Sequence, residues 1–470
     1  MTSDTRPLAD AAVDRDAIGR AVGDLAAWAA IRARDEVPEA TLADAALVLF
    51  DDIAAMVAAR DEPEPARLQQ RLLASAGPAE ATVFNGRRDR ADRYSTAVAN
   101  AAAGDWCELD EGYRLTTCHA GLYVLPALLA EAEAGALTTA EVLRCLAVAY
   151  EATTRFARAF PGTTRALHPH ACFAAIGAAA ATALARGASA EGFQAAVASA
   201  ATLVTPGPFN HAVAGALVRN VWPAVGAWSG MRAADWAEFG ITGLAQSPYD
   251  VFVSGFGADS NAAEMTDKLG ADWAIGNNFQ KLHACCQYAH STVEATLDLL
   301  GRLGDTVSAA RVARITIETH DRARALDGVR PATTLAAKFS LPHAAAATAV
   351  LGHAGAEAFA ADKLDDREID MLRRRVEIGP FEPVPAPPND RPARVRWTLD
   401  DGSEHEAECL SARGGPDRPF TRDEILAKID AIARPVYPEL GVVAQTVTAL
   451  DPKTLALPWV EVVARFTKPG

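Results

Sequence analysis

A chain of 470 residues, half of them hydrophobic and 22% charged, is long enough for a large core and too apolar for a disordered protein. Its net charge of −15 excludes the broad basic face that nucleic-acid phosphates require, so no nucleic-acid partner is expected. An acidic protein that handles an anion must instead gather positive charge locally.

The N-terminal stretch MTSDTRPLADAAVDRDAIGR is polar and acidic and has no apolar signal core. From about residue 15 to 265 the pattern predicts helix nearly throughout. AIGRAVGDLAAWAAIRA, EATLADAALVLFDDIAAMVAAR and TTAEVLRCLAVAYEATTRFARAF all space apolar residues by three and four. Thr138 and Thr139 before Glu141 predict a helix cap, and Pro and Gly punctuate the joins at 161–169 and 205–215. Runs such as FAAIGAAAATALA are too short and too rich in alanine to span a bilayer, so no membrane partner is expected. After about 270 the character changes. VARITIETH (312–320), RRRVEIGPF (373–381) and ARVRWTLDDGSEHEAECL (393–410) predict strands, with a turn at Asp401-Gly402. Helices are expected at 290–303, around 340–353 and at 421–433, and EPVPAPPNDRP (382–392) is a proline-rich surface loop. The composition shift favours a mainly α chain, with a helical domain over 1–268 and a smaller α+β domain over 269–436. The segment 437–470 carries mixed signals that allow a return to the helical domain. One continuous α+β domain is the alternative.

The seven cysteines, at 107, 118, 145, 172, 285, 286 and 409, are scattered without C-x-x-C spacing. Adjacent Cys285 and Cys286 have poor disulfide geometry, so reduced thiols in a cytoplasmic protein are expected. No zinc motif, P-loop, dinucleotide loop or G-x-S-x-G turn is present, and neither a metal nor an organic cofactor is expected.

Three separated segments place histidine beside small residues, which let helices pack closely and let side chains from distant segments share a pocket. In DWCELDEGYRLTTCHAGLYVLPALL, Asp105, Glu108, Asp110, Glu111, Tyr113, Arg114 and His119 fall within 15 residues. The stretch is either a solvated acidic turn or a loop opening into a pocket. In RALHPHACFAAIGAAAA, His168 and His170 straddle Pro169 at the mouth of an Ala-rich helix. Histidine has the near-neutral pKa a general base needs, but a histidine in this place is more often structural. In NNFQKLHACCQYAHSTVEA, Lys281, His283 and His290 flank a loop-to-helix junction. Arg219 offers a carboxylate fork, although on its own context it reads as a surface residue. His343, in KFSLPHAAAATAV, again precedes an Ala-rich run, whereas His211, His320, His353 and His405 read as structural.

In their order, CHAGLYVLPAL after the acidic loop, LHP…GAAAA, the R-N…G block at 219–230, KLHACCQYAH and FSLPH (339–343) resemble the MmgE/PrpD family. Its members include 2-methylcitrate dehydratase, cis-aconitate decarboxylase and iminodisuccinate epimerase. The resemblance implies a large all-helical domain, a smaller α+β lid domain, a homodimer, no cofactor, and a site in the cleft between domains. It implies chemistry beginning with proton removal next to a carboxylate, and it points to His119, His168, Lys281 and Arg219. Two departures from the family pattern stand out. Glu-Leu-Asp-Glu-Gly (108–112) replaces a motif ending Asp-Asp-Thr-His, and His343 replaces a tyrosine. Both imply a substrate other than methylcitrate or aconitate.

The expectation is therefore a dehydratase-like lyase of a small anionic carboxylic acid. His168 is its base. His119, Glu108, Asp110, Glu111 or Tyr113 supplies a proton. Lys281, Arg219, His283, His290 and His343 assist catalysis or binding. An epimerase, a decarboxylase, or a non-catalytic binding protein on the same fold are the alternatives.

Overall fold

The computed structural model describes residues 8–304 and 309–467; residues 1–7 of the polar N-terminal stretch lie outside them. The first half is helical, as its periodicity predicts. It comprises α1 (Leu8–Arg32), α2 (Glu39–Ala58), α3 (Pro63–Leu73), α4 (Arg93–Trp106), α5 (Ala120–Ala134), α6 (Thr139–Ala159), α7 (Pro169–Ala185), α8 (Ala190–Ala200) and α9 (Trp222–Glu238). A two-residue antiparallel pair, β1 (Ala81–Thr82) with β2 (Arg90–Ala91), interrupts them and had no clear signal in the sequence. The cap foreseen at Thr138 is a full capping box. Its hydroxyl accepts from the Glu141 amide, and the Glu141 carboxylate takes the Thr138 amide.

Helix α7 is the hub, packing against α5, α6, α8 and α9, and every residue from Pro169 to Leu184 is buried. Small side chains make this possible. A Cβ on Gly226 would lie 2.4 Å from the Ala174 Cβ, and one on Gly230 would lie 2.3 Å from the Ala175 carbonyl oxygen. The crossing of α7 and α9 thus admits hydrogen alone at those two positions. An added methyl there must push apart two backbones that have no flexible side chain to yield.

A short antiparallel pair joins β3 (Gly112–Tyr113), between α4 and α5, to β4 (Asn278–Phe279), and the second half holds a four-stranded mixed sheet. The sheet comprises β5 (Val312–Thr319), β6 (Val376–Pro380), β7 (Ala393–Leu399) and β8 (Glu404–Cys409), in the order β6-β5-β7-β8. β5 runs parallel to β6 and antiparallel to β7. Along β7, Ala393, Val395, Trp397 and Leu399 are buried, while Arg394 and Arg396 face outward onto Glu406 and Glu408 of β8. Helix α10 (His290–Leu303) covers β7 and β8 and packs on α11 (Leu341–Leu351). The turn at Asp401-Gly402 is present, with Gly402 at φ +84°. The chain is mainly α, with its mixed sheet confined to the C-terminal part.

From α12 (Arg422–Ala433) onward the chain packs on the early helices. α12 and α13 (Leu440–Thr448) lie on α2, and α14 (Trp459–Thr467) lies on α5 and α6. Among the described residues, no helix is long and apolar enough to cross a membrane.

Candidate active site

The β3–β4 pair builds the site, because it ties the acidic loop to the segment bearing Lys281. Gly112 pairs with Phe279 so closely that a Cβ on it would sit 2.3 Å from the phenyl ring. The loop between α4 and α5 is therefore not a solvated turn. Asp105, Glu108, Asp110 and Glu111 are all buried, and Glu108 holds a left-handed backbone at φ +53°. Strain of that kind persists where the surroundings over-determine it, and it clusters at functional sites.

The buried carboxylates meet the cations that the sequence placed far away. Both Asp105 oxygens accept from Arg219 Nη1, at 2.7 and 2.8 Å. Glu108 Oε1 lies 2.5 Å from the same nitrogen, at an angle that makes it an ion pair more than a hydrogen bond. Lys281 Nζ reaches Glu108 and Asp110 at 3.4 Å each, long enough to leave its donors loosely committed. Arg219, a surface residue on its local context, is fully enclosed. Burial disfavours the charge on both cations, yet the surrounding carboxylates overcome it and raise both pKa values. Burial would likewise raise Asp110, but Lys281 and His119 hold it well below the usual carboxylate range.

His119 caps α5 and turns its Nδ1 to two acceptors, Asp110 Oδ2 at 2.7 Å and the Glu111 carbonyl at 2.8 Å. Two acceptors on one nitrogen fix the proton there, so the neutral ring keeps its lone pair on Nε2. No hydrogen bond to a described residue occupies Nε2. Behind this pair, Glu111 accepts from the Gly121 amide at 2.6 Å and the Tyr150 hydroxyl at 2.8 Å, and burial pushes its pKa up to about 7. Gly121 is obligatory, because a Cβ would fall 2.5 Å from Asp52 Oδ2 and 2.7 Å from Glu111 Oε1.

The opposite wall is built by the entry to α7. His168 accepts from Arg219 Nε at Nε2 and from the His170 amide at Nδ1, both at 3.3 Å. A neutral imidazole has one lone-pair nitrogen, so only one of these contacts is a hydrogen bond at a time. Burial, His170 and Arg219 together press the His168 pKa well below its usual value. His170 sets Nδ1 against the Tyr123 hydroxyl at 2.7 Å and Nε2 2.9 Å from Asp105, the latter poorly aligned for a hydrogen bond.

One cavity, with about 500 Å³ of empty space including its mouth, is lined by Glu108, Tyr113, His119, His168, Arg219 and Lys281. Asp110 and Glu111 stand directly behind that wall. The Tyr113 hydroxyl meets Arg158, and burial raises the phenol to about 12. Three expected binding residues do not line the cavity. His283 and His290 pack edge to face at 5.2 Å, and His290 Nε2 meets the Cys285 carbonyl at 3.1 Å. His343 places Nε2 on the Ala358 carbonyl at 3.0 Å and Nδ1 3.4 Å from Arg373, and Phe339 lines the pocket in its stead.

Some of what surrounds the site was not singled out from sequence. Asp51 and Asp52 are buried, and Lys428 of α12 bridges Asp51 Oδ1 at 2.6 Å to the Leu109 carbonyl at 2.9 Å, bracing the acidic loop. Two adjacent acids within the apolar run LVLFDDIAAMV were a usable signal for them. Gln287, Tyr288 and Arg391 also line the cavity, and nothing local to the proline-rich loop marks Arg391. Among the described residues, no group of three or more His, Cys, Asp or Glu side chains is placed to hold a metal ion.

Known proteins are similar to this one along nearly the whole chain. It is 24% identical over 479 residues to a cis-aconitate decarboxylase of Aspergillus terreus, covering 96% of this chain and 97% of that one. It is 25% identical over 444 residues to the cis-aconitate decarboxylase-like protein oryM of Aspergillus oryzae, covering 89% and 91%. The family model of the MmgE/PrpD N-terminal domain matches residues 23–258, and that of the MmgE/PrpD C-terminal domain matches 283–451. Matches of that extent, over both parts of the chain, make this protein a member of the MmgE/PrpD family.

Proposed function

We propose that the protein is a cofactor-independent lyase that removes a proton from the carbon next to a carboxylate of a small organic acid. The observation that carries this reading is the Asp110–His119 pair, with Nδ1 saturated at 2.7 and 2.8 Å and Nε2 free in a cavity shared with two buried cations. The roles expected of the two histidines exchange. His119 is the base: Nε2 takes the proton, and Asp110 stabilises the imidazolium that forms. His168, kept neutral beside Arg219, positions substrate and the guanidinium.

As the carbon–hydrogen bond breaks, its electron pair moves onto the carboxylate and negative charge grows on the oxygens. Lys281, with two loose 3.4 Å contacts, and Arg219 stand ready in a cavity of low dielectric, where fixed charges contribute most. The electrons then return to expel a group from the neighbouring carbon. In the dehydratase form that group is hydroxide, leaving as water with a proton from His119. In a decarboxylase form, the second reading, the carbon–carboxylate bond breaks instead: carbon dioxide leaves without the bonding pair, and the carbon that keeps the pair takes a proton from His119. Relatives named as a cis-aconitate decarboxylase and a cis-aconitate decarboxylase-like protein support this form. A homodimer belongs to the same proposal, supported by exposed Trp228, Phe239, Ile241 and Leu244.

The test is a panel of small mono-, di- and tricarboxylic acids incubated in deuterated water. Solvent deuterium entering the carbon next to a carboxylate supports the reading. Water loss or carbon dioxide release then distinguishes its two forms. A panel in which the protein catalyses neither exchange nor bond cleavage overturns it.

A further inference from the structure

The charge balance of the cavity divides it into two zones. In the inner zone three carboxylates, Asp105, Glu108 and Asp110, already face the two permanent cations Arg219 and Lys281 at 2.5–3.4 Å. Those cations answer charge inside the protein and leave little unbalanced field to hold a second anionic group. The rim is different. The nearest carboxylate to Arg391 is Asp390 at 4.0 Å, and Asp390 is itself held by Arg114 at 2.6 Å. The other partners of Arg391 are neutral: Nη1 donates to Gln287 Oε1, and the guanidinium carbon lies 5.2 Å from the centre of the Tyr288 ring. Arg322, which donates to the Tyr288 hydroxyl at 2.8 Å, adds a third positive charge nearby. Burial, with Arg114 beside it, presses the Arg391 pKa down to about 10.

With 15% of its side chain exposed, the guanidinium has lost hydration, and among the described residues no carboxylate stands closer to it than 4.0 Å. Its position is nonetheless fixed. The Arg391 carbonyl accepts from Ser291 Oγ at 2.6 Å, and the next carbonyl, Pro392, accepts from Thr319 Oγ1 at 2.7 Å. The loop is thus anchored to α10 and β5, and its arginine faces the same cavity as His119. A planar fork held rigid and left uncompensated is suited to a carboxylate from outside the chain.

We propose that Arg391, with Gln287 and Tyr288, forms a subsite for a second carboxylate of the substrate, remote from the reacting carbon, and selects dicarboxylates over monocarboxylates. This rests on the lyase reading only in taking the cavity as the substrate site. Binding of unreactive acids therefore tests it apart from turnover.

The experiment is calorimetric titration of the full chain with succinate and with propionate, which differ by one carboxylate. The wild-type protein is expected to bind succinate at least about ten-fold more tightly. Arg391→Gln should abolish that preference by weakening succinate about ten-fold or more while leaving propionate unchanged, and Arg391→Lys should keep part of it. Melting curves of both variants separate loss of the subsite from loss of the fold. Equal affinity of the wild type for the two acids, no binding of either, or a folded Arg391→Gln protein that keeps the preference would overturn the proposal. Loss of turnover in His119→Gln with this selectivity intact would show the two readings standing separately.

Discussion

Two walls of one cavity each present a histidine, and their electrostatics are opposite. On one wall a carboxylate, Asp110, holds His119 by Nδ1; on the other a guanidinium, Arg219, faces His168. A carboxylate behind an imidazole stabilises the protonated ring, whereas a guanidinium in front of one opposes it. Residue type alone therefore assigns neither role, and the partner on the far side of the ring decides which histidine accepts a proton. The direct way to break this comparison is to remove each ring in turn. His119→Gln is expected to lower kcat by about 10²–10⁴-fold, the range for loss of a positioned base. His168→Gln keeps a group able to accept from Arg219, and should cost about ten-fold, mostly in KM. Turnover measured on the best acid of the panel, with melting curves as a fold control, checks both. The reverse order of losses would return the base to His168.

Asp110→Asn asks whether the carboxylate or only its shape matters. The amide oxygen still accepts from His119 Nδ1 at the same position, but the charge that stabilises the imidazolium is gone. A fall in kcat of about 10²-fold, with KM nearly unchanged, is expected from a term realised as charge develops. A variant with wild-type kcat would reduce Asp110 to a structural tether.

Behind the same wall, Glu111 supplies a smaller effect, read in stability. Burial raises its pKa from an ordinary 4.5 to about 7, against the pull of Tyr150 and Gly121. The folded state then holds a proton that the unfolded state has released, so stability falls as pH rises from about 4.5 to 7, and the penalty persists above. Asp52, also raised by burial, acts in the same direction. Glu111→Gln cannot ionise, and its amide can still meet both partners if the Tyr150 hydroxyl reverses its role. The variant should gain about 2–3 kcal/mol relative to wild type between pH 5 and pH 8. Urea unfolding at the two pH values checks it. A difference between the proteins that does not change with pH would mean that Glu111 is ionised in the fold.

Much of this was legible in the residues. Helical periodicity found the early helices, alternation found the sheet strands, and the CHAG, LHPH and QKLHA segments flagged His119, His168 and Lys281. What local pattern does not contain is which distant element covers a side chain. Arg219 resembles a surface residue until Asp105, 114 positions earlier, closes over it. The acidic loop is buried because the two-residue pair Gly112–Phe279 and Asn278–Tyr113 pins it, and a ladder that short has no periodicity to detect. Arg391 lies in a proline-rich loop whose composition predicts exposure, and only its anchors on Ser291 and Thr319 bring it to the cavity.

His343 puts that lesson to the mildest test. PHAAAATA and PHACFAAIGAAAA are close to the same sentence: a histidine after proline, opening an Ala-rich helix. The second supplies His170, one contact from Asp105 and the cavity. The first is closed off by the Ala358 carbonyl and the Arg373 guanidinium, and burial lowers its pKa to about 4. A neutral ring donating from Nε2 and accepting at Nδ1 has both nitrogens engaged and nothing left for a substrate. His343→Gln offers a donor and an acceptor of similar reach, so it should lower stability by about 1 kcal/mol and leave kcat and KM within about two-fold. A ten-fold rise in KM at unchanged melting temperature would instead connect this position to the substrate, and the distinction drawn between the two Ala-rich helices would fail.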